Sequence, residues 1–141
     1  MEPVDTADVA DGSLLLVDTA PIVYLLDGHP TLAARFRPIF ERHARSELAL
    51  AVTTVTIAEV LAGPISVGDE ALVRRYRRTL ESWQVVELTG DIAESAARLR
   101  IALRLKLPDA IQAASALAIG ADALVTHDRD FARLNGLRVL G

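Results

Sequence analysis

Four short, almost unbroken apolar runs constrain this chain most: SLLLV at Ser13–Val17, LALAV at Leu48–Val52, VVEL at Val85–Leu88 and ALVT at Ala123–Thr126. Runs this brief and this continuous read as strands buried on both faces, the pattern of a parallel sheet covered by helices. Longer segments with helical spacing lie between them. Leu32, Phe36, Ile39, Phe40 and Ala44 form a stripe within Thr31–Arg45, and Leu72, Tyr76, Leu80 and Trp83 another within Gly68–Trp83. Ile92, Ala96, Leu99 and Leu103 keep the same period in a helix opened by Asp91 and running to Lys106. Strands that alternate with helices predict an α/β fold in three layers, with a central, mostly parallel sheet of four strands and Leu137–Leu140 as a fifth.

The punctuation between elements supports the same reading. A short helix is predicted over Ala20–Asp27, entered at Pro21 and broken by Gly28-His29-Pro30. Thr53, Thr54 and Thr56 offer hydroxyl caps for a helix running to about Leu61 and stopped by Gly63-Pro64. Pro108 opens a further helix, DAIQAASALAIG, that is apolar nearly all round and is therefore expected to be buried, with Gly120 ending it. Residues 1–12 carry Glu2, Asp5, Asp8 and Asp11 with a proline and a glycine, and are expected to form a loose tail ahead of a domain at 13–141.

Composition removes several function classes. The chain has no cysteine, which excludes disulfides, thiol nucleophiles, Cys-ligated zinc and iron–sulfur clusters. Three scattered histidines cannot build a His-rich metal cage. At 4% aromatic residues, a base-stacking platform of the RNA-recognition or OB type is not expected. The net charge of −4 gives no bulk basic signature, so any polyanion would have to be met by local patches. Arg35, Arg37, Arg42 and Arg45 form one candidate patch, Arg74, Arg75, Arg77 and Arg78 a second, and Arg98, Arg100, Arg104 and Lys106 a third, each equally readable as a solvated helix face. The longest apolar stretch, Ser13–Leu26, is interrupted by Asp18 and is preceded by acids, so neither a membrane span nor a signal peptide is expected and the protein is read as cytoplasmic.

The informative residues are acids in apolar surroundings. Asp18 directly follows SLLLV, Glu59 lies within TIAEVLAG, Asp109 opens the most apolar helix, and Asp128 follows ALVTH with Asp130 two residues on. A lone buried carboxylate is costly and escapes by a raised pKa or a cation. The C-terminal ends of parallel strands share one edge, where ligands collect, and Asp18 and Asp128 should both stand there. Asp109, and in some packings Glu59, would reach that edge from first helical turns. Carboxylates converging in this way require a divalent ion, and oxygen-only ligands point to Mg²⁺ or Mn²⁺. Each acid also has an ordinary reading: Asp18 as an N-cap, Glu59 on a solvated face, Asp109 as a first-turn acid, Asp128 and Asp130 as turn formers.

The segments LLLVDTAPIVYLL, TTVTIAEVLAG, LKLPDAIQAASALAIGA and DALVTHDRDFARL, in this order, resemble the PIN-domain nucleases, and within them the VapC-type toxins of bacterial toxin–antitoxin pairs. The resemblance spans residues 14 to about 137 and implies a PIN-like domain over 13–141 that cleaves RNA phosphodiesters with Mg²⁺ or Mn²⁺. It implies Asp18, Glu59, Asp109 and Asp128 as the acidic catalytic and metal-binding set. Asp130 is the further candidate ligand, since either acid of the HDRDF turn is placed to face the metal. It also implies positioning roles for Thr19 and Thr126, a small antitoxin that blocks the acidic pocket, and a homodimer. The acidic N-terminal extension is longer than in many such toxins, and His127 is expected to be a surface turn residue. Two other readings fit the residues less well. A PIN-like binding module without catalysis has little use for clustered, mutually repelling acids. A haloacid dehalogenase-like phosphatase needs a second aspartate two residues after the first, where this chain has Ala20, and a catalytic lysine, where Lys106 is the only lysine.

Overall fold

The computed structural model describes residues 2–128, 130–131 and 134–141. Five strands, β1 (Ser13–Val17), β2 (Leu48–Thr53), β3 (Gln84–Val86), β4 (Ala123–Val125) and β5 (Arg138–Leu140), form one sheet in the order β3-β2-β1-β4-β5. Every pairing is parallel. In register, Leu16 of β1 stands between Ala51 of β2 and Leu124 of β4. Side chains of a strand alternate between faces, so Leu15 and Val17 point into one core and Leu16 into the other.

Among the described residues, six helices cover the two faces. Helices α1 (Thr19–Leu26), α2 (Leu32–Ala44), α3 (Thr54–Ser66) and α4 (Glu70–Glu81) close one face, burying Ile22, Phe36, Ile39, Val60 and Leu80 against Leu15, Val17, Leu50 and Val52. Helices α5 (Gly90–Leu103) and α6 (Leu107–Ala118) close the other, where Ile92, Ala96, Ala110, Ala113 and Ala114 meet Leu16, Ala51 and Leu124. Each fully buried Phe, Leu or Ile contributes about 1.5–3 kcal/mol relative to exposure. The chain leaves β1 on the first face and reaches β4 from the second, so the β1–β4 junction is the topological switch, beside which a crevice opens at the carboxyl ends of the strands. No helix among the described residues is long and apolar enough to cross a membrane.

Several expectations are corrected. The segment expected to be a loose tail is docked: Val4 and Val9 are buried in the first core, and Val4 N–H donates to the Arg35 carbonyl at 2.8 Å. Arg42, held at 11% side-chain exposure, donates to the Thr6 carbonyl at 2.8 Å and to Asp11 at 2.7 Å, while Arg138 donates to Asp8 at 2.7 Å. Two of the acids that suggested a solvated tail, Asp8 and Asp11, are thus partners for arginines, and the two valines supply the apolar anchor. Helix α3 runs through Gly63-Pro64 to Ser66 instead of stopping there. Pro64 forfeits one backbone hydrogen bond, and its buried ring offsets that loss. Helix α5 ends at Leu103, not Lys106, because Arg104 adopts a left-handed conformation with φ 56°. Strand β3 stops at Val86, leaving Leu88 46% exposed.

The docking of the N-terminal segment yields a test. Arg42→Ala removes the Thr6, Asp11 and Glu47 contacts of a mostly buried guanidinium and is expected to lower unfolding free energy by about 1–2 kcal/mol in urea denaturation. Arg45→Ala, at a residue with 60% side-chain exposure that pairs only with Glu47 among the described residues, is expected to change it by less than about 0.5 kcal/mol.

Candidate metal centre

The crevice at the β1–β4 junction has a volume of about 450 Å³, and its walls include Asp18, Glu59, Asp109 and Asp128. Asp18 is the first residue beyond β1, and its backbone N–H still donates to the Val125 carbonyl at 2.8 Å, extending the ladder by one bond. Its carboxylate caps α1 through Thr19 N–H at 2.8 Å on Oδ1. The same oxygen accepts from Gln112 Nε2 at 3.0 Å, and Oδ2 accepts from Thr126 Oγ1 at 2.8 Å. The capping role and the cleft-lining position therefore coexist in one side chain.

Thr126 serves two acids at once. While its hydroxyl donates to Asp18, its oxygen accepts from the Asp128 N–H at 3.0 Å, which fixes the backbone where the last acids begin. Asp128 Oδ1 in turn accepts from the Asp130 N–H at 2.8 Å in a tight Asx-type turn. Asp109 stands in the first turn of α6, whose start is set by Pro108. Oxygens of Asp109, Asp128 and Asp130 lie within 4.8 Å of one another. Asp109 and Asp128 are half-buried and Asp130 is exposed. Glu59 reaches the crevice from α3 on the opposite side and accepts from Thr19 Oγ1 at 3.0 Å. The fold thus gathers all five predicted acids at one sheet edge, with Asp109, Asp128 and Asp130 as a tight trio and Asp18 and Glu59 outside it.

The residues fit a hard divalent cation. An octahedral Mg²⁺ with ligands at about 2.1 Å needs oxygens about 3 to 4.2 Å apart, and the oxygens of the trio lie within 4.8 Å of one another. An all-carboxylate donor set suits Mg²⁺ or Mn²⁺ better than zinc or copper. Without a cation the crowding has a measurable cost. Burial, then the negative charges of Asp128 and Asp18, push the Asp109 carboxyl up to about 6.

Three polar residues, Gln112, Thr53 and Thr56, join the site without a sequence motif that assigns them to it. Gln112, 1% exposed, is bonded to Asp18, Thr53 and Thr56. A glutamine inside an otherwise apolar helix was the available signal. Thr53 and Thr56 were read as caps, and Thr53 does cap α3, but both also face Gln112. His127 is exposed, as expected of a turn residue, and also forms part of the crevice wall beside Tyr24, with ring centroids 5.9 Å apart. Of the first arginine patch, Arg35, Arg42 and Arg45 are engaged by the N-terminal segment or Glu47. Arg77 and Arg98 sit in exposed pairs with Glu81 and Glu94.

The raised proton affinity of Asp109 fixes a pH dependence. Because the folded protein holds this proton more tightly than the unfolded chain, whose ordinary value is 3.8, the group costs nothing below about pH 4. The destabilisation grows as pH rises through about 6. A shift of this size corresponds to about 3 kcal/mol, reduced by solvent screening to about 1 kcal/mol at this half-open site. Asp109→Asn is therefore expected to raise the melting temperature of EDTA-treated protein at pH 7.5 by about 3 °C, with the gap closing towards pH 4. Equal melting curves at pH 7.5 would show that the acids do not repel as placed.

The PIN domain family profile matches residues 15–137. No curated protein sequence gives a significant match. Among solved structures, the chain is similar to a toxin–antitoxin complex from Klebsiella pneumoniae, with 28% identity, a TM-score of 0.70, and coverage of 87% of this chain and 94% of that one. It is similar in fold to VapBC2 from Rickettsia felis bound to a promoter DNA fragment, at 19% identity and TM-score 0.71, covering 89% and 96%. The same holds for VapC20 of Mycobacterium tuberculosis, a sarcin–ricin loop cleaving toxin, at 15% identity and TM-score 0.69, covering 90% and 99%. With a profile that spans nearly the whole sequence and a sheet order that gathers the acids at its switch point, the chain belongs to the PIN-domain family.

Proposed function

We propose that this protein is a metal-dependent endoribonuclease that acts as the toxin of a toxin–antitoxin pair. The observation that carries the reading is the acid cluster: carboxylates drawn from β1, α3, α6 and the segment after β4 line one crevice at the sheet edge. Family membership and the likeness to a toxin–antitoxin complex support it.

In this reading Asp18, Glu59, Asp109 and Asp128 hold Mg²⁺ or Mn²⁺, with Asp130 as a further ligand beside Asp128. A cation held by these residues would supply charge neutralisation at the scissile phosphate and a more acidic water for in-line attack. The chain's own residues do the rest. Thr126 and Gln112 hold the Asp18 carboxylate in one orientation, so no reorganisation is needed when the phosphate arrives. Asp128 is aimed by the same Thr126 hydroxyl. Ala20, Val23, Tyr24 and Pro108 form the apolar part of the wall, which limits water around the reacting group. A small antitoxin that presents a cation would block such a crevice by satisfying the acids directly, and a homodimer in the cytoplasm completes the proposed assembly.

Purified protein is expected to cut a mixed RNA pool with Mn²⁺ or Mg²⁺ and to stop when EDTA is added. Asp18→Asn should lower the rate about 100-fold or more while leaving the circular dichroism spectrum unchanged. Cleavage that is indifferent to EDTA, or full activity in the Asp18→Asn protein, would overturn the assignment.

A further inference from the structure

The family resemblance assigns Gln112 no role, yet its side chain is 1% exposed and bonded directly to Asp18. Its amide is oriented without ambiguity. An ionised Asp18 only accepts, so the nitrogen must face Asp18 Oδ1 at 3.0 Å and the oxygen must face Thr53 Oγ1 at 2.8 Å. Thr53 then spends its single proton on Gln112, since its oxygen is already accepting from the Thr56 N–H at 3.1 Å. The second amide proton of Gln112 goes to Thr56 Oγ1 at 2.6 Å. Thr56 therefore holds its own proton free for Thr19 Oγ1 at 2.9 Å, and Thr19 passes its proton to Glu59 Oε1 at 3.0 Å. Each hydroxyl has one proton, so the direction is fixed from Gln112 outward.

The reverse direction fails at the same residue. If Glu59 donated to Thr19, and Thr19 to Thr56, the Thr56 oxygen would accept twice and its proton would need an acceptor. Gln112 Nε2 is no acceptor, and Thr53 stands at a long 3.4 Å. One buried amide thus donates towards two anions on opposite sides of the crevice, directly to Asp18 and through two hydroxyls to Glu59. Bonds arranged donor to acceptor in series polarise one another, so each end feels the other.

We propose that Gln112 is a positioning residue that aligns Asp18 and Glu59 together, through a one-way relay of Thr56 and Thr19, as paired ligands for the divalent cation. The proposal rests on the metal-site reading above, and two separate measurements keep them apart. The first needs no metal. In EDTA-treated protein the two Gln112 side-chain amide protons are expected to be resolved and slow to exchange by NMR. Glu59→Ala should shift them in the wild-type background and leave them unmoved in Thr56→Val, where the relay is cut. The second measures Mn²⁺ affinity by calorimetry. Gln112→Leu should weaken it about 10- to 100-fold, and Thr56→Val should weaken it less, with no further loss when added to Glu59→Ala. Gln112 amide protons that ignore Glu59→Ala overturn the relay, and wild-type Mn²⁺ affinity in a folded Gln112→Leu protein overturns the positioning role. If Gln112→Leu does not fold, Thr56→Val decides the matter by the same two readings. Wild-type protein that binds no Mn²⁺ refutes the metal site and with it the role in metal binding, and the NMR coupling then decides the relay alone.

Discussion

Like charges held close together are the condition around which this molecule is arranged. Carboxylate oxygens within 4.8 Å of one another repel, at a half-open site by about 1 kcal/mol after solvent screening. A chain free to relax would spread these groups into solvent. Here the backbone does not allow it. Asp18 is locked to β4 by its own N–H, Asp109 rides on a helix start, and Asp128 is fixed through Thr126. An all-parallel sheet sends the carboxyl ends of its strands to one edge, so the topology itself concentrates the acids.

Holding such a cluster requires a stiff frame, and α6 supplies much of it. Ala110, Ala113, Ala114 and Ala116 are buried with little side chain to accommodate, which lets the helix approach the sheet closely. At that short range a glutamine from α6 can reach a strand-end aspartate, an α3 threonine and the α3 cap simultaneously. Larger residues at the alanine positions would lift Gln112 and Asp109 away from their partners together. The small residues of α6 are therefore part of the site, although none of them touches it chemically.

Periodicity made the layers legible. Continuous apolar runs cannot face water on either side, and SLLLV, LALAV and ALVT did become central strands. The acids were legible for a related reason, since charge beside such runs has few structural uses. What escaped notice depended on long-range partners. Gln112 draws its meaning from Thr53 and Thr56, which are remote in sequence and near only after folding. The N-terminal segment reads as solvated when Asp8 and Asp11 are taken without the arginines of β5 and α2 that meet them. Pro64 looked like a stop because its burial, which offsets the missing hydrogen bond, is a tertiary fact.

The two outermost strands of the sheet, β3 and β5, have three residues each, whereas the central β1 and β2 have five and six. A strand that short offers an incoming chain very few unpaired backbone groups, too few to template a stable extension of the sheet. Recruitment of a further strand at either rim, whether from another copy or from an unfolded neighbour, would gain little. Any self-association or partner binding is thereby directed to helical surfaces, where side-chain chemistry and not backbone pairing selects what docks.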